Sequence, residues 1–572
     1  MTHRHPIAAL VAGLLVSTAG TAQDALPQAG NEWFASGQQA LRDRLAVEHN
    51  TNVAKNVIVM IADGNGVGTN YATRLYHGQQ NGNMGDENVL PHEELPHLAL
   101  VKTYNTNAQT PDSSGTATAV LAGVKTKAGV VGVNENVTRG DCSMVAGNEV
   151  VPITKMMADA GKSVGILTTA RLTHATPASG YANAADRNFE DDSGLPEGCT
   201  VPDIATQLID AMEAGWVDVA MGGGRRHFLP EDVTDDEGSA GRRTDGENLV
   251  ERARAAGARY AFDADSFAAI DLAEDAPILG LFESSHMQYE ADRAGEPSLA
   301  EMVEAAITAL QGNENGFFLE VEAGRVDHAN HAGNLHRAVT DGIAFAEAVA
   351  KAREMTDESD TLLVVTADHA HAIAFGGYCG RGTPIDGLCY GIDNAGTMHT
   401  GEPELADDGR PYTVVGYLNG AGSVIRKEPI PAALAMEADH ASGEAADGSA
   451  ETAMADTGTD GATATDAVEP IAEHGAADAE ALLERLDVTT ETDEETGESA
   501  TYRWIGYRGD LTQEEATDPD YLQQALIPKS SETHSGMDVA VYASGPFAHL
   551  FDGTVEQHYL FHVMHHAAGL GE

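Results

Sequence analysis

Residues 54–68 read AKNVIVMIADGNGVG. Positions 57–62 form an unbroken apolar run with β-branched content, and glycines follow soon after. A half-exposed strand would alternate with polar residues. This run does not, which predicts a strand buried on both faces of a parallel sheet. Asp63 follows it directly. In open α/β sheets, ligands gather beyond the carboxyl ends of strands, so Asp63 is a candidate metal ligand. The competing reading is an ordinary Asp-Gly turn. The glycines at 64, 66 and 68 lack GxGxxG spacing, and no ribose-binding acid is evident.

The same pattern recurs along the chain. SVGILT (163–168), positions 217–221, GFFLEV (316–321) and TLLVVT (361–366) read as further buried strands. Helical periodicity lies between them at 153–160, 203–211 and 297–310. The last places Leu299, Met302, Val303, Ala306, Ile307 and Leu310 on one face. Gly222–Gly224 reads as a tight turn, 539–542 as a strand and 555–565 as a closing helix. The expected fold is therefore α/β, three-layer α/β/α, with a largely parallel central sheet and an active site at the strand carboxyl ends.

Three of these strands run into Asp, Glu or His. After 316–321 come Glu322, Asp327, His328 and His331; after 361–366 come Asp368, His369 and His371. Asp327 and His331 are four residues apart, so both side chains lie on one helix face. Asp368-His369 suits a strand-exit loop. Nitrogen and oxygen ligands of this kind fit Zn²⁺. A single histidine is more often a polar or satisfied buried residue, and the recurrence at strand ends argues against that here. QTPDSSGTATAVLAG (109–123) reads as a helix that opens on Asp112 and Ser113. A hydroxyl there feels unpaired N–H groups and the positive end of the helix dipole, although plain capping is the ordinary use of such residues. The stretch 169–188 places His174, Thr176 and Arg187 in a loop. The Arg187 fork suits a phosphate or carboxylate, and the competing reading pairs it with Asp186.

The 33 basic residues face 89 acidic ones, a net charge of −56. That balance argues against nucleic acid as a partner and, with few lysines, for adaptation to salt. Residues 1–22 read as a secretory signal: a short basic start, ten apolar residues at 7–16, then Gly-Thr-Ala. Ten apolar residues do not span a bilayer, so a periplasmic or secreted protein is expected, with no membrane association after cleavage. The four cysteines allow three pairings. Cys142–Cys199 with Cys379–Cys389 is preferred, the last two lying ten residues apart across Gly- and Pro-containing sequence. The region 379–530 is an acidic insertion. Within it 437–500 has Arg485 as its only basic residue, a short helical piece is read near 477–486, and order is expected to return near 502–506. The domain plan is thus a signal at 1–22 and a catalytic domain at 23–572 interrupted by 379–530.

NVIVMIADGNG, PDSSGTATAVLAGVK, HATPASGYANAADR, VEAGRVDHANH, TADHAHAIAFGGY and THSGMDVAVYASGP, in this order, resemble the successive blocks of the alkaline phosphatases. The resemblance runs from about Asn56 to the C-terminus and leaves out the acidic insertion. It implies a phosphomonoesterase with two Zn²⁺ and one Mg²⁺. Ser113 would be the nucleophile that forms a phosphoserine, and Arg187 would clamp the phosphate, positioned by Asp112. Asp327, His331 and His534 would hold one zinc, and Asp63, Asp368 and His369 the other. Asp63, Thr176 and Glu322 would hold magnesium. His371 would stand behind the zinc ligands, and the His174 and His328 pair resembles animal members. A peripheral Ca²⁺ or Mg²⁺ would use Glu283 and Glu296. The family also implies a Cys142–Cys199 disulfide, a homodimer with a crown in the place of the insertion, and an alkaline pH optimum. Ser114 departs from the common pattern and puts a second hydroxyl beside the nucleophile. Competing readings are a phosphodiesterase or sulfatase of the same superfamily and, from another class, a non-catalytic acidic metal-binding protein. The presence of every ligand and of the nucleophile speaks against the last.

Overall fold

The computed structural model describes residues 26–571 except 236, 394, 397–400, 430–487 and 493–498. The signal sequence, most of the acidic stretch and the helix read near 477–486 lie outside the described residues. In chain order the strands are β1 (Asn56–Ala62), β2 (His97–Lys102), β3 (Ser163–Arg171), β4 (Val219–Gly223), β5 (Arg259–Ala261), β6 (Ile278–Leu281), β7 (Phe317–Ala323), β8 (Thr361–Thr366) and β9 (Ala370–His371). They continue with β10 (Ile373–Phe375), β11 (Val415–Gly420), β12 (Ile425–Pro429), β13 (Val488–Thr492), β14 (Ser499–Gly506), β15 (Ala525–Pro528), β16 (His534–Ser535), β17 (Val539–Ser544) and β18 (Thr554–Glu556).

Ten strands make one sheet in the order β18-β2-β17-β8-β1-β7-β3-β4-β6-β5. Every strand but β17 runs the same way. The apolar run at 57–62 sits at its centre, and alternate side chains enter two cores. Val57, Val59 and Ile61 pack on one face with the helices Ser113–Ala122, Ile204–Glu213 and Tyr559–Ala567. Ile58, Met60 and Ala62 pack on the other with Leu299–Leu310 and Leu335–Met355. A strand with no polar face can be satisfied only this way, and three layers result.

Register brings the strand ends level. Ile61 pairs with Glu322 of β7 and with Thr366 of β8, while Thr168 of β3 pairs with Glu322. Asp63, Glu322 and Asp368 therefore emerge on one edge of the sheet.

Several local expectations need correction. Gly222 and Gly223 belong to β4 and not to a turn, pairing with Leu281 and Arg171; glycine is needed there because a Cβ would strike Thr168 and the Ser285 carbonyl at 2.6 and 2.2 Å. Gly224 alone turns, at φ +96. Thr176 lies in a one-turn helix, Ala175–Ala178, and not in a loop; Pro177 is tolerated because first-turn N–H groups have no intrahelical acceptor. The closing helix is Tyr559–Ala567, since 554–556 pair with β2. The described part of 379–530 supplies β11 and β15 of the three-stranded sheet β10-β11-β15 and all of the sheet β12-β14-β13. β14 contains the return to order read at 502–506. Both preferred disulfides are present, Cys142–Cys199 and Cys379–Cys389. No helix among the described residues is long and apolar enough to cross a membrane.

With a net charge of −56, self-repulsion is greatest at low ionic strength. The melting temperature should rise as KCl is raised from about 0.1 M to about 2 M; a fall over that range contradicts salt adaptation. His92 is buried, with Nε2 2.7 Å from Asn70 Oδ1 and Nδ1 unpartnered. Burial, aided by Arg74, lowers its pKa from 6.5 to about 4. The unfolded chain therefore takes up the proton first as pH falls. The stability His92 contributes is full above pH 6.5 and is lost toward pH 4, by about 3 kcal/mol. Denaturant melts of His92→Gln at pH 7 and pH 4.5 should show a smaller loss than the parent.

Candidate active site

Ser113 opens the helix Ser113–Ala122, with Asp112 as its N-cap. Ser113 Oγ lies 3.2 Å from His369 Nε2. The same nitrogen is 3.3 Å from Asp63 Oδ1 and 3.4 Å from Asp368 Oδ2. All four residues are buried. Both Asp63 oxygens lack a hydrogen-bond partner. Burial raises the Asp63 pKa well above the usual range, and Asp368 and Asp327 add to the effect. Burial holds His369 well below the normal histidine value, so its imidazole is neutral. Asp368 is oriented by the Gly64 N–H and the Thr116 hydroxyl, each at 3.0 Å.

The second cluster surrounds Asp327. Its Oδ1 is 2.8 Å from His371 Nε2, 3.3 Å from His534 Nε2 and 3.5 Å from His331 Nε2. His331 Nδ1 donates to the Glu532 carbonyl at 2.6 Å and His534 Nδ1 to the Pro111 carbonyl at 2.8 Å. In the neutral rings those carbonyls select the Nδ1–H tautomer, in which each Nε2 is an acceptor. Yet the two Nε2 atoms lie 2.9 Å apart, beside a carboxylate. Acceptors facing acceptors repel unless a cation sits among them, which is the arrangement of a metal site with its outer hydrogen bonds in place. Glu532 also takes His371 Nδ1 and the Ala372 N–H. Its role is missing from the sequence reading, where its place two residues before His534 was the available signal.

A third group joins Asp63, Glu322 and His174. Thr176 Oγ1 and Glu322 Oε1 are buried without partners, and burial pushes Glu322 up to about 7. These are oxygen donors suited to a hard cation.

Arg187 does not pair with Asp186, which instead holds Arg139 at 2.9 and 3.0 Å. It donates to Asp112 Oδ1 at 2.6 Å and to His174 Nε2 at 2.9 Å, beside the helix N-terminus. Burial raises the Asp112 pKa, but Arg187 and the Ser114 hydroxyl outweigh it and hold the carboxyl well below its usual range. Ser114 is fully engaged, donating to Asp112 Oδ2 and accepting from the Gly129 N–H at 3.0 Å. Of the two serines, Ser113 is the one that faces His369.

His328 and His174 lie with ring centres 5.4 Å apart, and His286 packs 4.1 Å from His328. Burial and nearby arginines lower all three pKa values, His328 to about 3. His174 and His328 thus serve as neutral acceptors for Arg187 and Arg325. Away from this centre, Gln288 spans Glu283 and Glu296, at 2.9 Å through its amide side chain and 2.8 Å through its backbone N–H. Glu296 Oε2 is buried and unpartnered, and burial pushes its pKa up to about 8.

The family model described as alkaline phosphatase matches residues 54–570. The tissue-nonspecific alkaline phosphatase of Rattus norvegicus is 37% identical over 559 residues, 94% of this chain and 88% of that protein. An alkaline phosphatase of Gadus morhua is 36% identical over 568 residues, 96% of this chain and 98% of that one. Among solved structures, the Thermus thermophilus alkaline phosphatase aligns with a TM-score of 0.55 at 22% identity, covering 92% and 93% of the two chains. The alkaline phosphatase of the Antarctic bacterium TAB5 aligns at 0.53 and 17%, covering 91% and 100%, a likeness of fold. With a serine at a helix N-terminus, an arginine beside it and clustered acidic and imidazole ligands at the strand ends, the chain belongs to the alkaline phosphatase family.

Proposed function

We propose that this phosphatase cleaves phosphate monoesters through a phosphoserine on Ser113. The observation that carries this reading is the convergence of His331 Nε2, His534 Nε2 and the Asp327 carboxylate within 3.5 Å of one another, beside the helix that Ser113 opens. Asp327, His331 and His534 would hold one Zn²⁺; Asp63, Asp368 and His369 would hold a second; Asp63, Thr176 and Glu322 would hold Mg²⁺. The unpartnered oxygens of Asp63, Thr176 and Glu322 fit such occupancy. When bound, the metals supply charge stabilisation for the entering and leaving oxygens of an in-line displacement. Ser113 Oγ forms the new P–O bond as the ester P–O bond breaks and the alcohol departs. Water then cleaves the phosphoserine and releases inorganic phosphate. Helix N–H groups and the Arg187 fork bear the charge on the equatorial oxygens. Asp112 and His174 hold that fork from two sides, so it need not reorganise during the reaction.

Glu283 and Glu296 are proposed to hold a peripheral Ca²⁺ or Mg²⁺. The chain is proposed to be exported after loss of residues 1–22 and to pair as a homodimer, with 379–530 in the crown position. The test is metal analysis of the purified chain, together with phenyl phosphate hydrolysis before and after chelation. Two zinc and one magnesium per chain are expected, with activity lost on chelation and restored by both ions. Full activity after exhaustive chelation overturns the reading. A rate on a phosphodiester or sulfate ester exceeding that on the monoester favours the alternative superfamily chemistry.

A further inference from the structure

The last helix, Tyr559–Ala567, has two unlike faces. Leu560, Phe561, Val563, Met564 and Ala567 are buried, and the helix packs against Ser113–Ala122. The outer face repeats histidine every fourth residue: His558, His562 and His566. His562 and His566 are exposed, and His558 is half-buried with its Nδ1 unpartnered. The rings of His558 and His562 stand edge to face with centres 6.1 Å apart.

We infer that His562, with His558 one turn before it or His566 one turn after, forms a surface site for a borderline divalent transition ion such as Zn²⁺, Ni²⁺ or Cu²⁺. Imidazoles four residues apart on a helix converge on one ion. A bond of about 2.0–2.1 Å from ring nitrogen to metal puts the ion about 3 Å from each ring centre. A 6.1 Å separation is close to twice that distance, so a small turn of either ring about its side-chain torsions brings both rings onto one ion. The donors are nitrogen only. Glu556, the nearby carboxylate, is engaged by Lys102 at 2.7 Å and Lys125 at 3.1 Å. Hard cations such as Mg²⁺ and Ca²⁺ prefer oxygen donors and are selected against. The net charge of −56 raises the cation concentration at the surface. The exposed rings of His562 and His566 face solvent, so the site serves cation capture and not the displacement itself.

The test uses the full chain with its catalytic metals loaded, dialysed to equilibrium against Ni²⁺, with bound nickel counted. The parent should take up one more equivalent than His562→Ala, and phenyl phosphate turnover should be the same in both. Melting curves without nickel should coincide, since His562 is exposed. A loss of uptake in His558→Gln assigns the second ligand to the earlier turn; a loss in His566→Gln assigns it to the later one. Equal nickel uptake by the parent and His562→Ala overturns the proposal.

Discussion

Ser113→Ala is expected to lower kcat for phosphate monoester hydrolysis by at least about a thousandfold. Ser113 Oγ is the hydroxyl placed 3.2 Å from His369 Nε2, at the edge where Asp63 and Asp368 converge. On the proposed mechanism its removal deletes the atom that would receive the phosphoryl group, and the neighbouring hydroxyl is held elsewhere. Ser114 is buried and committed to Asp112 and the Gly129 N–H. Ser114→Ala should therefore cost about tenfold or less, through a looser Asp112–Arg187 pair. Steady-state rates of both variants, with trapping of radiolabelled phosphate on the parent, test the assignment. An active Ser113→Ala, or an inactive Ser114→Ala, would place the nucleophile elsewhere.

Asp327→Ala carries the second large effect. One carboxylate oxygen faces three imidazole nitrogens within 3.5 Å. Removing it leaves the facing nitrogens of His331 and His534 without their anionic partner. Monoester hydrolysis should fall by about a hundredfold or more, and one zinc equivalent should be lost from the purified protein. Asp186→Ala is the contrast. It breaks a partly exposed pair with Arg139 and should leave activity within about twofold. Zinc analysis beside the rate separates ligand loss from unfolding: retained zinc with full activity would remove Asp327 from the site.

The central strands and the helix Ser113–Ala122 were legible because their sequences meet one demand each. The run at 57–62 has no polar face, and Asp112-Ser113 has cap chemistry ahead of small helix-compatible residues. β2 was not read, because His97–Lys102 is edge-like, with burial broken by exposed Leu98 and Leu100, and gains its place only from β17 and β18. The candidate site was read as a list of ligands, and the structure adds what holds them. Glu532, His286 and the Pro111 carbonyl act from distant points in the chain. No local spacing announces such partners, since they are joined only by the register of the sheet and the return of β16 beside β9.

The small sheet β12-β14-β13 has a consequence for what the chain can carry. Pro429 pairs with Tyr502 and Val488 with Arg503, so the two ends of the 430–487 segment flank one strand. Two strand spacings put them about 10 Å apart. Once a gap that narrow is held by an independent β-ladder, the entropy of closing the loop grows only with the logarithm of its length. The acidic sequence between Pro429 and Val488 can therefore be lengthened, shortened or exchanged at little cost to the central sheet.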